Sequence, residues 1–161
     1  MRVLSEQIVF SNDEIKRKLE QLDKNNNYEV KNILYYPYLV YEYMVDRKGF
    51  FHPLQGNIGC TIDGVNKIGA VVDFFPELEE ADIKNDSIIH SKTTLGDAEY
   101  IAKEFLHETI AKKKKIFTVP ELKSTRQEMF YRPYWIVEGE TKTEGTFLIT
   151  VDAVSGKFHP L

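Results

Sequence analysis

YYPYLVYEY occupies residues 35–43, and YRPYWIVEG occupies residues 131–139. The reading of this repeated phrase decides the fold. Aligned on Pro37 and Pro133, Tyr35 matches Tyr131, Tyr38 matches Tyr134, Val40 matches Ile136 and Glu42 matches Glu138. Tyr, Val and Ile suit a pleated surface, so each phrase reads as a strand. Alternation puts Tyr35, Leu39, Tyr41 and Tyr43 on one face of the first, and Tyr36, Tyr38, Val40 and Glu42 on the other. Neither face is plainly polar, so the strand needs cover on both sides. Pro37 and Pro133 have no N–H to give a ladder and are expected at strand starts, bulges or edges.

The match continues outward. Thr61-Ile62-Asp63 corresponds to Thr150-Val151-Asp152, and each is followed by a turn-like stretch, GVNKIG or AVSGKF. A helical pattern precedes each copy. Ser11 is an N-cap with Glu14 as its capping-box partner, and Phe10 and Ile15 hold the staple positions. Ile15, Leu19 and Leu22 form one apolar stripe, and the run Asn25-Asn26-Asn27 should end the helix. The second helix begins near Thr94, with Leu95, Ala98, Ile101, Ala102, Phe105 and Ile110 as its buried face. It should fray through the lysines at 112–115, whose charge suits a helix C-terminus. Further strands are expected at 58–62, 68–74, 146–151 and 157–161. Turns are expected at 46–49, 141–145 and 152–156.

Several elements in the same order point to duplication. The expected fold is α+β: two repeats, each one helix packed on its own small antiparallel sheet. The first repeat covers residues 1–75 and the second 93–161, and the acidic, aperiodic stretch 76–92 connects them. The first copy also carries an insertion, FFHPLQGN, at residues 50–57. Small repeats have marginal cores. The uncovered faces of the aromatic strands are therefore expected to meet each other or to form a homodimer.

YRPYWIVEGETKTEGTFLITVDAVSGKFHPL, at residues 131–161, resembles the PepSY domain. An aromatic-led strand, a hairpin and a strand ending in Val-Asp-Ala-x-x-Gly-Lys follow a helix. The similarity is best over 131–158. In the first copy Asp63 is kept but GVNKIG stands in place of the Gly-Lys turn. The resemblance implies tandem units of a helix on a small antiparallel sheet, a plan shared with cystatin-like folds. It implies protease inhibition or regulation as the kind of role, and export or membrane association as the setting.

Composition narrows the partners. The 161 residues are 42% apolar and 12% aromatic, which suits an ordered core. The net charge of −4, with both signs mixed along the chain, makes nucleic acid an unlikely partner. Cys60 is the sole cysteine, so no intrachain disulfide exists. No apolar run is long enough to span a bilayer. The start MRVLSEQIVFSNDE has no signal-peptide core. A cytoplasmic location follows if Met1 is the natural start, and an extracytoplasmic one if an export signal has been removed.

Motifs for chemistry are sparse. His52, His90, His107 and His159 contain no pair at metal-ligand helical spacing, and Ala111 stands where a zinc-protease motif starting at His107 needs its second His. Cys60 reads as a buried structural residue with only His52 near it in sequence. Glu42 and Glu138 end equivalent strands. They are either paired carboxylates for acid–base work or acids that meet a cation or water. Asp63 and Asp152 are turn-formers. The expected function is non-catalytic: recognition of a protein or peptide through an aromatic sheet surface made of Tyr35, Tyr38, Tyr41, Tyr43, Glu42, Tyr134, Trp135 and Glu138. The alternatives are a small enzyme with an acid/base site between the repeats, or a structural self-associating protein. No cofactor or metal is implied.

Overall fold

The computed structural model describes residues 1–46, 56–114 and 120–161. Among these lie strands β1 (Arg2–Glu6), β2 (Asn27–Asp46), β3 (Asn57–Asp63), β4 (Gly69–Val72), β5 (Leu78–Asp82), β6 (Glu121–Thr141), β7 (Gly145–Asp152) and β8 (Phe158–Pro160). The helices are α1 (Asn12–Leu22) and α2 (Leu95–Lys114). The α+β content agrees with the sequence reading. The strands, however, belong to one eight-stranded sheet rather than to two small ones, in the order β4-β3-β2-β6-β1-β5, with β7 on β6 and β8 on β7. Most of the expected insertion, His52 within it, and Lys115 lie outside the described residues.

The chain divides into two compact units, each assembled from separated segments. The first unit comprises Met1–Tyr36, Glu77–Ile89 and Tyr131–Leu161, and the second Pro37–Pro76 and His90–Phe130. Both units therefore draw on the front and the back of the sequence. This corrects the expectation that each helix covers only its own sheet: α1 packs with β6 and β7 as well as with Tyr28 at the start of β2, and α2 packs with β2 and β3.

In the first unit, α1 starts as its cap predicts, with Ser11 Oγ accepting the Glu14 N–H at 3.3 Å. Ile15 and Leu19 enter a core with Tyr28, Val137, Ile149 and Val151. Leu22 is 64% exposed, a correction to the expected stripe. The helix ends there, because Asp23 is extended and its carboxylate takes the N–H of Asn25 and the amide of Asn26. Phe147 lies across Gly139, its partner on β6, and a Cβ at Gly139 would come within 2.3 Å of the ring. A second, smaller core holds Ile83, Ile88 and Tyr131, with Val3, Tyr35 and Ala81 against it. Val3 and Ala81 come from β1 and β5, which pair antiparallel over Arg2↔Asp82 to Glu6↔Leu78. RVLSE and LEEAD have little strand character of their own. The sequence reading therefore saw a plain start and a connector where pairing makes two strands.

In the second unit, Leu39, Tyr41, Tyr43, Cys60 and Ile62 meet Ala98, Ala102 and Leu106 of α2. Thr94 Oγ1 accepts the Asp97 N–H at 3.2 Å and starts that helix. Two close approaches need glycine. A Cβ at Gly69 would lie 2.7 Å from the Phe105 ring, and one at Gly59 would lie 2.9 Å from Val72 Cγ2. These contacts hold β4 against the helix and β3.

The prolines correct a detail. Pro37 and Pro133 are buried in mid-strand rather than at strand ends. Each sits one residue beyond a hairpin ladder, which begins at Tyr38↔Asp63 and at Tyr134↔Asp152. A missing N–H there removes no bond from that ladder. Their carbonyls are used: Pro37 O accepts the Gly64 N–H at 2.9 Å, and Pro133 O accepts the Ala153 N–H at 3.0 Å.

Candidate functional site

The two aspartates do as expected, and by the same bonds. Asp63 accepts the N–H groups of Val65 and Asn66 on Oδ1, both at 2.8 Å. Asp152 accepts those of Val154 and Ser155 at 2.8 and 3.2 Å. Both turns close with a residue at positive φ, Lys67 at 61° and Gly156 at 74°. Each turn is closed by one further backbone bond, from the Lys67 N–H to Asp63 O at 2.9 Å and from the Gly156 N–H to Asp152 O at 2.8 Å.

The residues expected to form a binding surface separate into groups. Tyr41 and Tyr43 are 0% exposed, stack on each other at 6.4 Å, and belong to the second unit's core. They therefore offer no surface, and burial raises the pKa of both hydroxyls. Tyr41 Oη donates to Leu95 O at 2.7 Å. The Tyr43 hydroxyl has no hydrogen-bond partner among the described residues. Tyr38 stacks on Phe130 at 5.8 Å in the second unit, and Tyr36 meets Tyr134 edge-on at 6.3 Å in the first. Glu42 accepts from the Thr125 hydroxyl at 2.9 Å. Glu138 faces Lys31 at 3.6 Å, the cation pairing that the plainer reading of this acid expects.

Tyr35 and Trp135 do come together. Both line a cleft of about 390 Å³ in the first unit, with Asn32, Ile33, Asp82, Ile83, Lys84 and Ser87. Its wall is well braced. Tyr35 bridges Ile88 in parallel and accepts the Ile89 N–H at 3.0 Å, and Ile83 and Ile88 are buried beneath. The indole N–H of Trp135 donates to Phe10 O at 2.8 Å, which fixes the ring. Burial raises the Tyr35 pKa, so the phenol stays neutral at ordinary pH. A larger depression of about 740 Å³ along Met1 and residues 82–86 shares part of this wall but has no aromatic lining. The 390 Å³ cleft sets the two aromatic rings among two isoleucines and four polar or charged residues, Asn32, Asp82, Lys84 and Ser87.

A further cluster was missed by the sequence reading. Arg132 bonds Glu6 at 2.8 Å and Asp152 at 2.8 and 2.9 Å, with all three side chains mostly buried. Burial raises the Glu6 pKa; Arg132 opposes that rise and Asp152 adds to it. Burial also acts to raise Asp152, but the Arg132 bonds and the turn N–H groups outweigh it and hold its carboxyl below the usual value. The one signal in the sequence was Arg132 itself, which stands where the first phrase has Tyr36. Glu6 is too distant in the chain to be paired with it by pattern.

The residues considered for chemistry are dispersed. Cys60 is fully buried, and burial pushes its thiol up to about 12, which suits a packing role. His107 Nε2 lies 3.3 Å from Pro120 O. Among the described residues no three of His, Cys, Asp and Glu are placed to hold a metal ion. No helix among them is long and apolar enough to cross a membrane. Compared with protein-family models, curated proteins and solved structures, the chain has no significant match.

Proposed function

We propose that this chain is a non-catalytic binding or regulatory protein that recognises a protein or peptide through aromatic residues of its sheet, with Tyr35 and Trp135 at the centre of the surface. The observation that carries the reading is the cleft in which these two residues meet Asn32, Lys84 and Ser87. Rigid aromatic bodies supply contact area at low entropic cost, and a few polar groups set orientation. The peptide would place an apolar side chain on the rings and its polar groups on Asn32 and Lys84. The proposal also keeps the duplication of a helix–hairpin unit and its kinship with PepSY domains. The equivalent bonding of the turns at Asp63 and Asp152 supports the duplication.

Peptide display against the purified protein tests the reading. Trp135 is the sole tryptophan, so its emission reports on the cleft. Selected peptides should shift that emission, and Tyr35→Ala should weaken them by about tenfold or more. Peptides that ignore Tyr35→Ala and Lys84→Glu, or a selection that yields no binders, would refute it.

A further inference from the structure

One stretch of β2 has a backbone edge that the described residues leave open, and it runs along the Tyr35 and Trp135 cleft. The polarity of this edge can be read from two bonds. Pro37 O accepts the Gly64 N–H at 2.9 Å, and Tyr35 O accepts the Ile89 N–H at 3.0 Å. Both carbonyls turn to the side of β2 that faces β3 rather than β6. The direction alternates with a period of two along a strand. Ile33 and Lys31, which lie within β2, therefore turn their N–H and C=O groups to that same side. β3 covers the side only from Tyr38 onward, and at Tyr35 it is covered by an extended segment, through the parallel bridge to Ile88. Nothing among the described residues bonds the outward groups of Ile33 and Lys31.

The reason is local. A straight continuation of the bridge at Ile88 would keep that segment on the edge of β2. Instead the chain turns at Asn85–Ser87, where the Ser87 N–H donates to Lys84 O at 3.0 Å, and so it leaves the edge. The cleft of about 390 Å³ is lined from both sides of this gap, by Lys84 and Ser87 of the departing segment and by Asn32, Ile33 and Tyr35 of β2.

We infer that the partner of this cleft is an extended peptide that joins the sheet as an added strand on β2, bonded through its main chain to the N–H and C=O of Ile33. The inference rests on the reading of the cleft as a peptide site and says where its affinity comes from. The open groups are a donor and an acceptor of one strand residue, which a peptide backbone matches and a purely apolar ligand does not. The same edge already holds an extended segment at Tyr35, so its geometry is that of a pairing edge. From Lys31 to Tyr35 the strand runs about 13 Å, room for about four extended residues. A second folded copy does not fit the gap, because its edge strand would bring a sheet with it. Pairing is also discouraged at the outer end, where Lys31 is held by Glu29 at 2.9 Å and faces Glu138 at 3.6 Å. Main-chain bonds set the peptide's direction along β2, and the Tyr35 and Trp135 rings receive one of its side chains.

Peptides selected by display on the purified chain are the probe, with Trp135 emission as the readout. Single N-methyl groups are placed along one such peptide. Methylation of the residue that donates to Ile33 O should weaken binding by about tenfold or more, while methylation of its two neighbours, whose N–H groups point away, should change it little. In amide hydrogen exchange the Ile33 N–H should exchange readily in the free chain and about tenfold or more slowly with the peptide bound. Ile33→Pro removes the outward donor and should weaken binding as Tyr35→Ala does. The exchange measurement, made on the wild type, covers the case in which Ile33→Pro fails to fold. A peptide that needs Tyr35 but tolerates methylation at every position and leaves Ile33 exchange unchanged overturns this inference and leaves the peptide-binding reading in place. A selection without binders overturns both.

Discussion

The turns at Asp63 and Asp152 use the same backbone bonds but are reinforced differently. Asp152 is gripped by Arg132, which also holds Glu6, and its turn closes on Gly156. At the position aligned with Arg132 the other phrase has Tyr36, which meets Tyr134. The turn at Asp63 closes on Lys67, a residue with a Cβ at positive φ. The cores differ in the same manner. The first unit has two separate apolar clusters, and Arg132, the cation of the charged triad, lies on β6, which feeds both. The second has one larger cluster that contains a phenol without a hydrogen-bond partner among the described residues. One local plan thus tolerates different supports, because a short turn needs only its own Asp and a residue that accepts positive φ.

The largest expected effect addresses the units themselves. Each takes its helix from one part of the sequence and the strands under it from another. Segments 1–89 and 90–161 made separately should each fail to fold, since α1 loses β6 and β7, and α2 loses β2 and β3. Co-expressed, they should co-purify and recover the full circular dichroism spectrum. Two independently folded, non-associating fragments would break the comparison at its root.

The Arg132 cluster comes next. Arg132→Leu leaves two buried carboxylates without their cation and should cost up to about 3–5 kcal/mol by urea denaturation. The pH dependence is set by opposite shifts. Asp152, held low, contributes stability above its unfolded pKa and loses it as pH falls through its folded value. Glu6, raised, contributes stability below its unfolded pKa and loses it as pH rises through its folded value. Asp152→Asn should therefore flatten the acid limb of the stability profile. Glu6→Gln should remove the decline on the higher-pH side. Profiles that both variants leave unchanged would mean the triad carries no linkage.

Smaller effects separate the two stacked tyrosines of the second unit. Tyr43→Phe removes a buried hydroxyl that has no partner among the described residues and should stabilise by about 1 kcal/mol or more. Tyr41→Phe removes the bond to Leu95 O and should destabilise by about 1 kcal/mol. Equal thermal shifts in both variants would contradict this. The smallest effect compares the turns. Lys67→Gly should stabilise by up to about 1 kcal/mol, and Gly156→Ala should destabilise by about 1–2 kcal/mol. Thermal midpoints that move in the same direction would show that φ is not what distinguishes these turns.

Local chemistry was legible in the sequence. Ser11 and Thr94 start the helices, Asp63 and Asp152 build the turns, and the apolar content of the YxPY phrases makes strands, because each depends on residues within a few positions of one another. Of the candidate site, Tyr35 and Trp135 could be picked out as aromatics on strands, but Tyr41 and Tyr43 look the same by pattern and are core. Only tertiary structure decides between them, since burial depends on which helix arrives above the strand. The same holds for β1 and β5, weak strand formers made into strands by each other, and for Glu6, brought to Arg132 across 126 positions. Periodicity says that a helix has an apolar face and a strand needs cover. It does not say which one covers which, because burial is non-directional and any apolar face can satisfy another. Here the shape of the assembled chain made that choice, putting α1 over β6 and β7 and α2 over β2 and β3.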